Sequence, residues 1–215
     1  MVSCNCKRKS AARGPFCVIE ITQDDIATLA ALPGVTDVSV QIGETVIHAE
    51  ATHIVSLMNI LRDDPRFEFQ QMMDVCGVDF PQRAARFDIV YQLLSVTRNA
   101  RLRVIIQADE TSSIASVSGI WRNAVWWERE IWDLFGVTFS GLADHRRIVT
   151  DYGFEGHPLR KDFPLTGYVE VHYDEDRKSV VYDKVELTQE FRNFDFLSPW
   201  EAMTNLPGDE KARRE

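Results

Sequence analysis

The chain has 215 residues, 45% of them hydrophobic and 27% charged, which suffices for one sizeable core with or without an appendage. Charged residues interrupt every apolar run well short of the ~20 residues that a membrane-spanning helix needs, so no direct membrane span is expected. The formal net charge of −9 argues against nucleic acid as a partner, because phosphate recognition needs a basic face.

The N-terminal stretch differs from the rest. It carries Lys7, Arg8, Lys9 and Arg13 with no acid before Glu20. A basic, disordered segment over residues 1–20 is the expectation, with an organellar transit peptide or unrelated upstream sequence as alternatives. Three of the four cysteines, Cys4, Cys6 and Cys17, fall in this stretch, and no Cys-x-x-Cys pair exists. Zinc and iron–sulfur sites need several thiolates at short fixed spacings, which the remaining Cys76 cannot supply. The chain is therefore expected to hold no metal of its own, with Cys76 a buried small hydrophobe in a reducing compartment.

From Thr22 the elements can be taken in order. Thr22 caps a helix through Gln23, Asp24 and Asp25, with Ile26, Leu29 and Ala30 on one face, and Pro33-Gly34 stops it. Residues 35–41 and 45–49 alternate around Gly43-Glu44 and predict a β-hairpin. A second helix starts at Thr52, carries Ile54, Leu57, Met58 and Leu61 at helical spacing, and ends at Asp64-Pro65. Strands follow over 69–75, 86–94 and 102–107, the last two a hairpin turning near Arg98-Asn99. This order gives an α+β fold over residues 21–136: a two-layer domain with a mixed sheet covered on one face by helices.

After Ser112 the chain is predicted to become helical again up to Phe135-Gly136. Residues 137–207 show weak periodicity yet carry many aromatics, among them Phe191, Phe194, Phe196 and Trp200. Extended chain with large apolar anchors buries them on something else, so this is read as an extended partner-binding arm. A tail folded back over its own sheet is the alternative. Within the arm, 168–173 and 179–187 predict a small hairpin around Asp174-Glu175-Asp176, and 208–215 a charged, disordered tail.

Chemistry could sit in two places. Glu128, Glu130 and Asp133 lie close together on the third helix, where Arg129 and Asp133 are four apart and can pair. Three acids invite general acid/base work, but they do not share one face at 100° per residue, and no nucleophile stands nearby. The second cluster holds Arg146, Arg147, Asp151, His157, Arg160, Lys161 and Asp162. Its histidines, His145 and His157, are twelve apart, which is not a metal spacing, and a network of arginine–carboxylate contacts fits better. His48, His53 and His172 have no distinguishing context. A free-standing hydrolase or metal enzyme built on either cluster is the competing reading.

These residues also carry a resemblance. Glu128-Arg129-Glu130-x-x-Asp133-Leu134-Phe135-Gly136-Val137, followed by Arg146-Arg147-Ile148-x-Thr150-Asp151-Tyr152-Gly153-Phe154-Glu155-Gly156-His157-Pro158-Leu159-Arg160-Lys161-Asp162-Phe163-Pro164, resembles the signature of the 30 kDa-type subunit family of respiratory complex I. Val185-Glu186-Leu187-Thr188-Gln189-Glu190-Phe191-Arg192 with Phe194 and Phe196 looks like its alphaproteobacterial and mitochondrial branch. The similarity runs from about residue 35 to 202. The family pattern has His-Pro-Asp-Leu before the paired arginines; here Leu142-Ala143-Asp144-His145 stands, so no contact of that histidine is carried over.

The resemblance implies a cofactor-free structural subunit in the peripheral arm of a proton-pumping NADH:quinone oxidoreductase, with FMN and iron–sulfur clusters held by other subunits. Its partners would be the 49 kDa-type (D) subunit and neighbouring iron–sulfur subunits. Its place would be the cytoplasmic side of the bacterial inner membrane or the matrix side of the mitochondrial one. Glu128, Arg129, Glu130, Asp133, the second cluster, and Phe191, Arg192, Phe194, Phe196 and Trp200 would form its signature and partner interface. An equivalent subunit of a related membrane-bound hydrogenase or another quinone reductase is the alternative.

Overall fold

Thr22 and Asp25 cap the first helix reciprocally: the Thr22 hydroxyl accepts from the Asp25 N–H at 3.3 Å, and the Asp25 carboxylate accepts from the Thr22 N–H at 3.0 Å. This sets α1 at Gln23–Ala30 in a computed structural model that describes residues 21–189. The hairpin follows as β1 (Val35–Gln41) and β2 (Glu44–Ala49). A 3-10 turn at Ala51–His53 leads into α2 (Ile54–Asp63), whose Ile54, Leu57, Met58 and Leu61 are all fully buried. Each such side chain contributes roughly 1.5–3 kcal/mol of burial.

Three long strands complete the main sheet: β3 (Gln71–Asp79), β4 (Phe87–Ser95) and β5 (Ala100–Ala108). The strand expected over 69–75 begins later, because Phe69 donates its N–H to the Leu61 carbonyl and is buried under α2 instead. Strand order is β1-β2-β5-β4-β3, with β2 and β5 parallel and every other pair antiparallel. Ile47, Val104, Tyr91 and Val75 stand in register across four strands and form the middle of the core. Cys76 lies between inward-facing Val75 and Gly77, so strand alternation turns it outward; it is exposed, which corrects the expectation of a buried cysteine.

The region after β5 departs further from expectation. Ser113–Ala115 forms a short strand, β6, and the helix α3 starts only at Ala124, running to Phe135. A second short strand, β7 (Thr138–Ser140), pairs parallel with β6. Strands of three residues are too short to show a period, which is why the sequence reads as helix there. Gly77 lets α3 lie directly on β3: a Cβ at that position would stand 2.9 Å from the Phe135 ring.

Residues 137–165, expected as the first part of a partner-binding arm, instead close onto the α+β domain, and the compact unit continues to Leu165. Beyond β7 they lack periodicity because side-chain-to-backbone contacts hold them rather than a helix or ladder. A second unit begins at Thr166 and contains the expected hairpin as β8 (Val169–Asp174) and β9 (Ser179–Lys184). Phe191, Arg192, Phe194, Phe196 and Trp200, the basic segment 1–20 and the tail 208–215 lie outside the described residues.

Candidate functional site

α3 combines an apolar stripe with three buried charged residues. Ala124, Ile131 and Phe135 enter the core, Trp127 and Leu134 pack at its margin, and Glu128, Arg129 and Asp133 are buried beside them. Buried charges need partners, since an uncompensated one costs several kcal/mol. Each of the three finds them in a loop of the same chain.

Asp133 is the most enclosed. Its Oδ2 accepts three successive backbone N–H groups, from Ile148 (3.0 Å), Val149 (2.8 Å) and Thr150 (2.9 Å). Its Oδ1 accepts from the Thr150 hydroxyl and from Arg147 Nη1 at 2.8 Å. Burial by itself would raise the Asp133 pKa, but the hydrogen bonds from Thr150, Val149 and Ile148 outweigh it and hold the carboxyl well below the usual range.

The end of α3 is closed by the same loop. Gly136 takes the left-handed conformation at φ 80°, and the chain returns to satisfy the last carbonyls of the helix. His157 Nδ1 donates to the Asp133 carbonyl at 2.9 Å, the Leu159 N–H to Leu134 at 3.1 Å, and Arg160 Nε to Phe135 at 2.6 Å. A Cβ on Gly136 would come within 2.6 Å of the His157 ring, so both the backbone conformation and the space require glycine. The Arg160 cation at a helix C-terminus also complements the helix dipole.

Arg129 does not pair with Asp133 as its spacing allowed. It donates instead to the carbonyls of Arg146 (3.0 Å) and Arg147 (3.2 Å), stands 3.6 Å from Asp144, and lies over the Trp126 ring. The loop wins because it offers several acceptors to a fork-shaped guanidinium, whereas Asp133 is already saturated. Glu128 points the other way: its carboxylate accepts from Ser116 Oγ at 2.6 Å and the Val117 N–H at 2.8 Å, fixing the β6–α3 connection. Burial pushes its carboxyl up, partly offset by those two hydrogen bonds.

A second node ties the end of the loop to the sheet. Arg86, at the mouth of β4, makes a bidentate pair with buried Asp79 at 2.6 and 2.9 Å, and reaches Asp162 at 2.7 Å and Glu110 at 2.5 Å. The Lys161 N–H donates to Asp79 at 2.7 Å. The Arg86 hydrogen bond holds the Asp79 carboxyl below its usual range, and the Lys161 N–H adds to this.

Of the residues singled out from sequence, Arg129, Asp133, Arg147, His157, Arg160, Lys161 and Asp162 thus join two networks that mix arginine–carboxylate pairs with bonds to backbone groups, while Glu128 holds the β6–α3 connection. Arg146 turns outward and pairs with Asp144 at 2.7 Å; Asp151 is exposed and Glu130 half-buried. Sequence reasoning missed Asp79, Arg86, Glu110, Ser116 and Thr150 as network members. Asp79 and Lys161 are 82 positions apart, and no local pattern joins them. His145 stacks on Trp132 at 4.3 Å between centroids, and Leu142 packs against the core where the family pattern has histidine.

A sequence model of the family described as "Respiratory-chain NADH dehydrogenase, 30 Kd subunit" matches residues 47–169. Curated relatives that bear the name of the C subunit of NADH-quinone oxidoreductase agree with it. The one from Mesorhizobium japonicum is 56% identical over 83% of this chain and 90% of its own length. The one from Paramagnetospirillum magneticum is 58% identical over 79% and 85%. The chain belongs to this family.

In this 30 kDa subunit family member, the matched segment contains every residue of both networks. Among solved structures, one chain of the membrane-bound sulfane sulfur reductase, an archaeal respiratory membrane complex, shares the fold with a TM-score of 0.58 at 22% identity. That similarity covers 74% of this chain and 98% of the other. No helix among the described residues is long and apolar enough to cross a membrane.

Proposed function

We propose that this chain is a structural subunit of the peripheral arm of complex I, binding no cofactor itself and supporting electron transfer from NADH to quinone by holding redox subunits in register. FMN and the iron–sulfur clusters belong to other subunits in this reading. The observation that carries it is how the buried polar groups of α3 are used. Glu128, Arg129 and Asp133 direct their hydrogen bonds to loops of their own chain, so the helix that looked most like a catalytic centre acts as a frame. Membership of the 30 kDa subunit family supports the setting, and the names of the relatives support the complex.

The partners in this proposal are the 49 kDa-type subunit and the neighbouring iron–sulfur subunits. The chain is a peripheral protein on the cytoplasmic side of the inner membrane, or on the matrix side in an organelle. The archaeal sulfane sulfur reductase shares the fold and keeps a second setting open, an equivalent subunit of a related membrane complex. The far higher identity to the NADH-quinone oxidoreductase relatives favours complex I.

The test is an affinity tag on this chain, extraction from membranes in mild detergent, and mass spectrometry of what accompanies it. Stoichiometric recovery of a flavin- and iron–sulfur-bearing NADH:quinone oxidoreductase is the expected result. Recovery of the chain alone, or with a nickel-binding large subunit, would overturn it.

A further inference from the structure

Three buried side-chain atoms among the described residues have no hydrogen-bond partner in the chain: Asp88 Oδ1, Arg103 Nε and the Tyr91 hydroxyl. Buried polar groups are paired almost without exception, so each of the three calls for a reason. Asp88 and Arg103 hold ion pairs through their other atoms, with Arg83 at 3.0 Å and Glu44 at 2.8 Å, and both side chains keep some contact with solvent. Tyr91 has neither. It has no solvent exposure and stands in the middle of β4, opposite Val75 and Val104 in the core.

The polar group that approaches it is Glu128, which is equally without exposure and takes its hydrogen bonds from a serine and a backbone N–H rather than from a cation. Burial raises the Tyr91 phenol and the nearby Glu128 charge raises it further, yet the two groups make no direct hydrogen bond. The other groups around Glu128 are already committed. The Val117 N–H goes to Glu128 at 2.8 Å. Ser116 Oγ lies 2.6 Å from Glu128 and 2.7 Å from the Ser118 hydroxyl, and accepts from the Ser118 N–H at 3.1 Å, which fills the capacity of a hydroxyl. A carboxylate has about four lone-pair sites, and Ser116 and Val117 take only two of them.

A water molecule meets both needs. It accepts the phenol proton and donates to the free acceptor capacity of the carboxylate, and two to four polar partners are what a buried water requires. Such a bridge is nearly as favourable as a direct hydrogen bond. Space is also provided for on α3. Ala124 stands one turn before Glu128 on the same buried face, and helical side chains lean toward that turn, so Glu128 shares its layer with a methyl group rather than a bulky side chain.

We infer that one buried water molecule bridges the Tyr91 hydroxyl and the Glu128 carboxyl, tying the N-terminal half of α3 to the middle of the sheet. Arg129 and Asp133 tie the helix to the loop; this site is its polar attachment on the sheet side. It depends on the fold alone and not on the complex in which the chain works.

The experiment uses the full chain, wild type and Tyr91→Phe, with a crystal structure and urea unfolding of each. In the wild type a water is expected at about 2.7–3.2 Å from both Tyr91 Oη and a Glu128 carboxyl oxygen. Tyr91→Phe keeps the ring and its packing. It should lose that water and shift the folding equilibrium about fivefold toward the unfolded chain, the scale of one net hydrogen bond. A hydroxyl buried with no partner predicts the opposite sign, because its removal relieves a cost. A phenylalanine variant as stable as wild type, or more stable, therefore overturns the bridge. So does a wild-type structure that resolves other buried waters but not this one, one in which Tyr91 bonds Glu128 directly, or one in which the water on Tyr91 does not touch Glu128.

Discussion

Asp133 and Arg147 meet at 2.8 Å in a place where the carboxylate has no solvent exposure, and the backbone just beyond Arg147 supplies three further donors to the same carboxylate. One side chain of α3 thereby determines the path of a loop that has no secondary structure of its own. Asp133→Asn keeps the shape but turns an acceptor into a donor facing N–H groups, and leaves Arg147 without its counter-charge. Chemical unfolding of the purified chain should show a loss of about 3–5 kcal/mol at pH 7. A loss under about 1 kcal/mol, the scale of an exposed pair, would mean that water substitutes for the contact.

The pH dependence follows from the same carboxylate. Its folded-state pKa is depressed, so its contribution is present above the unfolded value of ~3.9 and is lost only as pH falls through that value toward the lower folded one. Asp133→Asn should therefore narrow the stability gap to wild type below about pH 4 and leave it constant from there to neutrality. A gap that already shrinks between about pH 7 and 5 would contradict the hydrogen-bonded geometry.

Glu128 should respond in the opposite sense. Its folded-state pKa is raised by burial, so it costs stability as pH rises from the unfolded value of ~4.3 through the folded one. A glutamine can accept from the Val117 N–H and donate to Ser116 Oγ without a buried charge. Glu128→Gln is expected to be as stable as wild type at pH 7 or more so by up to about 1 kcal/mol, the advantage fading toward about pH 4. Glu128→Ala, which leaves the Val117 N–H unsatisfied, should lose about 1–3 kcal/mol. If both substitutions destabilise alike, the charge itself is being stabilised by something beyond Ser116 and Val117.

These opposite signs mark the boundary of what the sequence made legible. Apolar periodicity located α1, α2, the three hairpins and the apolar stripe of α3, because the side chains that bury an element repeat with its period. The loop that follows β7 has no such repeat; its order comes from Asp133 and Asp79, which accept from its backbone N–H groups, and from Arg86, which reaches the Asp162 carboxylate. Composition could say that Arg147, His157 and Arg160 sit among carboxylates and carbonyls, but not which ones. The spacing of Arg129 and Asp133 invited a pair within the helix, and only the fold reveals that both side chains serve the loop instead. Asp79 lies beyond the strand expected over 69–75 and ends β3, Arg86 was read as the start of a strand and stands just before β4, and nothing local marked them as a hub.

That hub gives a thermodynamic test. Asp79 is buried against Arg86, so Arg86→Met alone should cost about 3–5 kcal/mol by leaving a carboxylate unpaired. Asp79→Leu alone should cost less, since Asp162 and Glu110 remain as partners for the guanidinium. The double variant should then be less damaged than the sum of the two, with a coupling of about 0.5–3 kcal/mol from a double-mutant cycle in urea. Strict additivity would show that the two side chains act independently and that the 2.6 Å contact carries little of the loop's attachment.

Arg129 separates a frame from a catalyst. It holds the Arg146 and Arg147 carbonyls and approaches Asp144, so Arg129→Ala frees the start of the loop without touching any reacting group in the proposed function. The expected phenotype is less assembled complex in the membrane, with unchanged NADH:quinone turnover for each complex that does assemble. Native gels with in-gel NADH dehydrogenase staining give the amount, and turnover normalised to bound flavin gives the rate. Removing a buried guanidinium from several carbonyl acceptors costs about 1–3 kcal/mol for each group left unsatisfied, enough to shift assembly severalfold. Normal assembly with turnover selectively lost would place Arg129 in the chemistry and revive the reading of α3 as an active site.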